Sequence, residues 1–255
     1  MKPFRKSRTA ALLAAGVSAL LMAGPSSALD ANDKAEIETI IREYLLKNPE
    51  LLLEVQQAYE AKRDAEQKVA QKGTIDTRAA EIFHSPDDVA VGNPNGSVTI
   101  VEFYDYNCGY CKRALDDMTT MIEADNDLRF VLKEFPILGP DSLKAHHVAR
   151  AFKKLLPEKY FEFHVALMGG EGRATEESAM ELAVSLGAEE GKMREIMDAE
   201  DADAEFRQAY DLANGLGITG TPSYVIGDEV VFGALGRDVL TAKVDNMRSC
   251  NSATC

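Results

Sequence analysis

Cys108-Gly109-Tyr110-Cys111 closes a run, residues 97–107, that is apolar and β-branched around Val98, Ile100, Val101 and Phe103 and reads as a buried strand. Beyond it, Ala114, Leu115, Met118 and Ile122 recur at helical spacing. Whatever this chain folds into must carry both cysteines where a strand gives way to a helix. A thiol there meets the unsatisfied N–H groups and the positive end of the helix dipole, which favour its thiolate. Thiolate is the reactive form of sulfur, so the junction is a place for sulfur chemistry.

The 255-residue chain opens with Lys2, Arg5, Lys6 and Arg8, an apolar stretch over residues 10–23, and Ser26-Ser27-Ala28. This is the pattern of an export leader, residues 1–28, with a small-residue cleavage site. A membrane anchor is the alternative, but the apolar stretch falls short of the ~20 residues that span a bilayer. Cleavage is expected to leave a chain beginning near Leu29 or Asp30. Four basic residues and no acid leave with the leader, taking the formal net charge from −14 to −18. Such an acidic balance argues against nucleic acid as a partner. Disulfides persist in the exported compartment, and the four cysteines fall in two close pairs.

Residues 30–72 form a separate helical extension. Ile37, Ile40, Ile41, Tyr44 and Leu45 make one apolar face; Asn48-Pro49 restarts the helix as cap and first-turn proline. Leu51, Leu52, Val55 and Tyr59 continue the stripe, and a polar stretch runs on to Gly73, where the helix is expected to stop. Two short amphipathic helices cannot bury their own stripes. They pack either on the main domain or on copies of themselves, and the polar spacer favours the second. Residues 73–88 read as a linker or short helix. Strand signals follow at residues 89–91 and 128–135, a block of helical patterns fills residues 141–216, and strands return at 223–226 and 230–232 before a last helix. Without the helical block, a small mixed sheet flanked by helices remains, an α/β sandwich.

Cys108-Gly109-Tyr110-Cys111, Glu102 on the strand before it, the helical insertion and Gly220-Thr221-Pro222 before a strand together resemble the DsbA-like thiol–disulfide oxidoreductases of the thioredoxin fold, over residues 89–249. The segment Tyr44-Leu45-Leu46-Lys47-Asn48-Pro49-Glu50 also resembles the helical extension of the ScsC-like subgroup, linked to copper-stress tolerance. Some members of that subgroup trimerise through it and act as isomerases or reductases. The resemblance implies a periplasmic enzyme without a cofactor. Its partners would be proteins carrying disulfides or thiols, a membrane thiol redox protein, and copies of itself. It makes Cys108 the nucleophile, Cys111 the resolving thiol and Glu102 a buried proton acceptor for Cys111. Thr221 and a cis Pro222 would bind an extended substrate by strand addition, beside Gly109 and Tyr110.

A free cysteine titrates near ~8.5, and cysteines in such motifs fall to roughly 3.5–7. That difference is about 2–7 kcal/mol, of which a helix dipole supplies only ~0.3–2 kcal/mol. Hydrogen bonds from backbone N–H groups must supply much of the rest. Tyr110 brings no imidazolium, so Cys108 is expected in the middle of the range and the protein to be a milder oxidant. Thr221, rather than valine, before the proline suits isomerase and reductase members.

Other readings stay open at this point. Glu102 alternates with Val101 and Phe103 and could face solvent. Lys133 and Glu134 read as ordinary strand polar residues, with membership of the Glu102 network as the alternative, His146-His147 read as a surface pair, and His84 and His164 have no partner in sequence. Cys250 and Cys255 favour a local disulfide over a redox-active or metal-binding tail. The rivals within this frame are a monomeric oxidase and a copper carrier using Cys108 and Cys111.

Overall fold

A computed structural model describes residues 30–198 and 203–255; the leader, and residues 199–202 of the helical block read over 141–216, lie outside them. The described residues divide into two compact units, one ending at Ala58 and the other beginning at Tyr59.

In the first unit, Asp30 caps α1 (Ala31–Lys47) by accepting from the amides of Asn32 and Asp33, and Asp33 answers with a bond to the Asp30 amide. Asn48 closes α1, and α2 (Glu50–Thr77) begins just after Pro49. No residue of α1 is buried, and Ile37, Ile40, Ile41, Tyr44, Leu46, Leu52, Leu53 and Val55 are all exposed.

The second unit contains the end of α2, then α3 (Ala79–Phe83), β1 (Val89–Gly92), β2 (Val98–Tyr104), α4 (Gly109–Ala124) and β3 (Leu128–Glu134). The helical insertion follows as α5 (Pro140–Leu155), α6 (Tyr160–Gly169), α7 (Glu176–Ser185), α8 (Glu190–Met197) and α9 (Ala204–Leu216). The chain closes with β4 (Ser223–Ile226), β5 (Glu229–Phe232) and α10 (Arg237–Cys250). The five strands lie in the order β1-β3-β2-β4-β5; β2 and β3 are parallel and the other pairs antiparallel.

The alternation along β2 sorts its side chains between two cores. Ile100 and Tyr104 join Cys111, Met118, Phe130 and Tyr224 on the face that carries α4 and helices α5–α8 of the insertion. Val101 and Phe103 join Val131, Val225, Leu212, Leu216 and Ile75 on the other. Glu102 has the parity of Ile100 and Tyr104 and is buried, as the resemblance implies, and the solvent-facing alternative falls.

Two further expectations change. The second helix does not stop at Gly73 but runs on to Thr77. A helical glycine costs about 1 kcal/mol against alanine. Here that cost is offset by anchoring: the Gln71 amide donates to Leu216 O at 2.9 Å, Thr74 Oγ1 donates to Gly215 O at 3.0 Å, and Ile75 enters the second core. Lys133 is not an ordinary strand polar residue. It is buried, donates to Glu81 O, and forms a close ion pair with Asp88. Strand parity turns it toward the second core, and a charge there must be paired.

Candidate functional site

The turn after β2 is built from its own polar groups. Asp105 is fully buried. One carboxylate oxygen accepts the Asn107 amide at 2.8 Å, and the other accepts the amides of Ile137 and Leu138 at 2.8 and 2.9 Å. Cys108 N–H closes the turn on Asp105 O at 2.9 Å. Cys108 then becomes the N-cap of α4, and its sulfur accepts the Cys111 amide at 3.4 Å.

Opposite this cap lies the loop before β4. The Thr221–Pro222 peptide bond is cis. Cys108 Sγ sits 3.1 Å from the Thr221 carbonyl oxygen, to which the thiol donates. The loop is held by Ser223 Oγ donating to Gly220 O, and by Gly233 N–H donating to Pro222 O. Gly109 opens α4 with free space where a side chain would stand. Tyr110 is exposed, and the Arg113 guanidinium stacks 4.3 Å from its ring centre.

The two cysteines are free thiols with opposite acidities. Cys108 is lowered to about 5 by the hydrogen bond from the Cys111 thiol, against the cost of burial. Thr221 and the amides of Cys111 and Tyr110 lower it further. Cys111 is pushed far up, first by burial, then by its hydrogen bond to Cys108 and by the Glu102 charge. Exposure matches: 6% for Cys108 and 1% for Cys111. Glu102 is 5% exposed, and burial, followed by the charges of Cys108 and Asp117, raises it to about 8. Its partners across the strands are Leu132 and Tyr224, neither a cation.

The structure therefore brings Cys108, Cys111 and Glu102 together with Gly109, Tyr110, Thr221 and Pro222 around one helix start. Sequence reasoning missed Asp105, Asn107 and Tyr224, and it misread a histidine pair. His146 is fully buried: its Nδ1 bonds Glu134 at 2.8 Å and its Nε2 accepts the Tyr106 amide at 3.3 Å. Only His147 lies nearer solvent, 2.9 Å from Asp203. The signal was present, because His146 falls one turn before Ala149 on the apolar face of α5. Glu134 also bonds Tyr160, which joins Tyr104, Tyr106 and His164 in a buried polar cluster. Burial lowers His164 to about 3. Cys250 and Cys255 form a disulfide with a Cα–Cα distance of 6.1 Å, as the local pairing led one to expect.

A search for known relatives matches the DSBA-like thioredoxin domain over residues 99–245, more than half of the chain. The chain belongs to the DsbA-like thioredoxin-domain family. Residues 33–66 of this family member also match the N-terminal domain of copper resistance protein ScsC. The crystal structure of the thiol-disulfide exchange protein alpha-DsbA2 from Wolbachia pipientis is 33% identical, with 72% of this chain and 98% of that one covered at a TM-score of 0.66. ScsC from Proteus mirabilis, in a transitional conformation, is 27% identical, with 87% and 98% covered at a TM-score of 0.63. The thiol:disulfide interchange protein DsbA of Bordetella parapertussis is 25% identical over 137 residues, 52% of this chain, and the match spans 64% of that protein's length. Among the described residues, no helix is long and apolar enough to cross a membrane, and no three His, Cys, Asp or Glu side chains gather as a metal site.

In the reduced protein, ultraviolet thiolate absorbance should titrate with a midpoint near about 5, and alkylation of Cys108 should switch on across that pH rather than near the ordinary value of 9.0. Glu102 gives a second expectation. Its folded value lies above the unfolded 4.5, so the folded protein holds this proton more tightly. Stability is therefore complete below about 4.5 and is lost as pH rises to about 8. Glu102→Gln escapes that loss. Denaturant titrations should find the variant equal to wild type near pH 4 and more stable by a few kcal/mol at pH 8, at about 1.4 kcal/mol per unit.

Proposed function

We propose that this chain is an exported thiol–disulfide oxidoreductase acting on proteins, with a lean toward isomerase or reductase. The observation that carries the reading is the contrast between the two sulfurs. One is favoured as an anion by the Cys111 thiol and the amides that open α4, and the other, more buried, keeps its proton one turn deeper.

In this reading, Cys108 thiolate attacks one sulfur of a substrate disulfide. A mixed disulfide forms, and the substrate's other sulfur leaves as a thiolate and takes up a proton. Cys111 then loses its proton toward Glu102 and attacks Cys108, so the second substrate sulfur leaves. The substrate is reduced by two electrons and the cysteine pair is oxidised. The reverse sequence oxidises a dithiol. A carboxyl held at about 8 exchanges protons near neutral pH instead of staying ionised. The Thr221 backbone supports pairing with an extended substrate strand. A membrane thiol redox partner would reset the pair, and the leader would deliver the chain to the periplasm.

The lean toward isomerisation rests on Thr221, on the absence of an imidazolium at Tyr110, and on the extension. Its exposed apolar stripe over Ile37 to Val55, together with the ScsC-type match, supports self-association through residues 30–72. Several sites facing one misfolded substrate would then gain by effective concentration. The second reading is a monomeric dithiol oxidase; the DsbA relatives are named for thiol–disulfide interchange and exchange, which suits either direction of the reaction. A copper role, which the name of the matched N-terminal domain suggests, would use Cys108 and Cys111 as two linear thiolate ligands for Cu(I).

Cys108→Ala should abolish turnover of insulin disulfides and of scrambled substrates; surviving turnover would remove the nucleophile assignment. Sedimentation should find the mature chain associated, and a double variant Ile40→Asp, Leu52→Asp monomeric with its cysteine titration unchanged. A monomeric mature chain would turn the reading to the oxidase.

A further inference from the structure

The turn that delivers Cys108 is gripped from outside as well as from within. The Asn107 side chain pairs with the backbone of Ala174 in both directions. Ala174 N–H donates to Asn107 Oδ1 at 2.7 Å, and Asn107 Nδ2 donates to Ala174 O at 2.9 Å. The same nitrogen donates to Ser142 Oγ at 3.1 Å, in the first turn of α5, and Ser142 is fully buried. One amide thus uses both its donor and its acceptor as a backbone unit would. It joins α5, and the segment leading into α7, to the residue immediately before the candidate nucleophile. His146 holds the same turn one residue earlier, through the Tyr106 amide.

Asn107 does not touch the sulfur. Its own amide is already taken by Asp105, so its side chain acts on the turn and not on the chemistry. The turn matters because the thiolate depends on direction. The Cys111 amide reaches the sulfur at 3.4 Å, and such bonds weaken steeply as their angle opens. A small rotation of the 105–108 turn would swing Sγ away from the amides of Tyr110 and Cys111 together.

We propose that Asn107 is a positioning residue for Cys108, locking the helical insertion onto the turn so that the amides opening α4 stay aimed at the sulfur. This rests on the reading of Cys108 as the nucleophile, but its measurement is separate. In the full mature chain, Asn107→Ala should raise the thiolate midpoint by about 0.5–1 unit, a roughly three- to tenfold weaker thiolate. The Cys108–Cys111 pair should become less oxidising in equilibrium with glutathione, because its reduced form loses stabilisation. Ser142→Ala, which removes one of the three bonds and keeps the Ala174 pairing, should move both readouts in the same direction by less.

A purely structural residue would lower the melting temperature and leave midpoint and potential at their wild-type values; that result for a folded Asn107→Ala overturns the proposal. Should Asn107→Ala fail to fold, Ser142→Ala decides: a raised midpoint supports the positioning role, and an unchanged one removes it. An inactive Cys108→Ala beside an Asn107→Ala with unchanged thiolate leaves the functional reading standing and sinks this inference alone. An active Cys108→Ala sinks both.

Discussion

The hydrogen bonds that converge on Cys108 Sγ from the first turn of α4 set everything else about the site. The donors, the Cys111 thiol and the amides of Cys111 and Tyr110, come from the same turn of the same helix. They make Cys108 an anion by keeping Cys111 a thiol, so the two acidities are coupled, with burial adding the largest share to the rise of Cys111. A helix dipole alone, at ~0.3–2 kcal/mol, would not separate two cysteines in one motif so widely. Direct donation to sulfur does, because the chain exposes one of them slightly and buries the other.

That geometry must be held from several sides. The sheet supplies the floor: β2 brings the turn up, and β4, hydrogen-bonded beside it, starts right after Pro222, so the Cys108 turn and the Thr221 carbonyl share one register. Asp105 ties the turn to the segment after β3, and Asn107 and His146 tie it to the insertion. On the opposite face of the sheet, Gln71, Thr74 and Ile75 secure the end of α9, and Ile218 in the same core begins the chain toward Thr221. The insertion is thus more than a cover, since the Cys108 turn is fastened to it.

Periodicity made much of this legible. The β2 run, the helical spacing after Cys111 and the succession of helical patterns in residues 141–216 appear as elements close to where they were read. Helix ends were less so: the Gly73 stop fails because Ile75 and Gln71 are anchored by residues more than a hundred positions away, and no local propensity records that. The pairing of the site split the same way. Cys108 and Cys111 announce themselves by spacing, whereas Asp105, Asn107 and His146 act through contacts with distant amides. His146 and Lys133 were misjudged for one reason. A polar residue was assigned to solvent by its type, although its strand parity or its place on a helix face pointed inward.

Glu102 carries this logic furthest. Raising a carboxyl from 4.5 to about 8 costs the folded state on the order of several kcal/mol above that pH, at about 1.4 kcal/mol per unit. Whole domains are stable by only about 5–15 kcal/mol. Burial, the Cys108 thiolate and Asp117 all push it the same way, and Leu132 and Tyr224 across the strands bring no compensating cation. An apolar residue at this position would stabilise the sheet, so packing gives no reason for an acid here. The Coulombic coupling to Cys111 offers one: an ionised Glu102 raises that thiol, and a Cys111 proton moving to Glu102 would relieve the buried carboxylate and offset part of the cost of the buried thiolate it leaves. The acid is a cost to the fold, and under the proposed exchange chemistry it sits beside the sulfur that has to lose a proton.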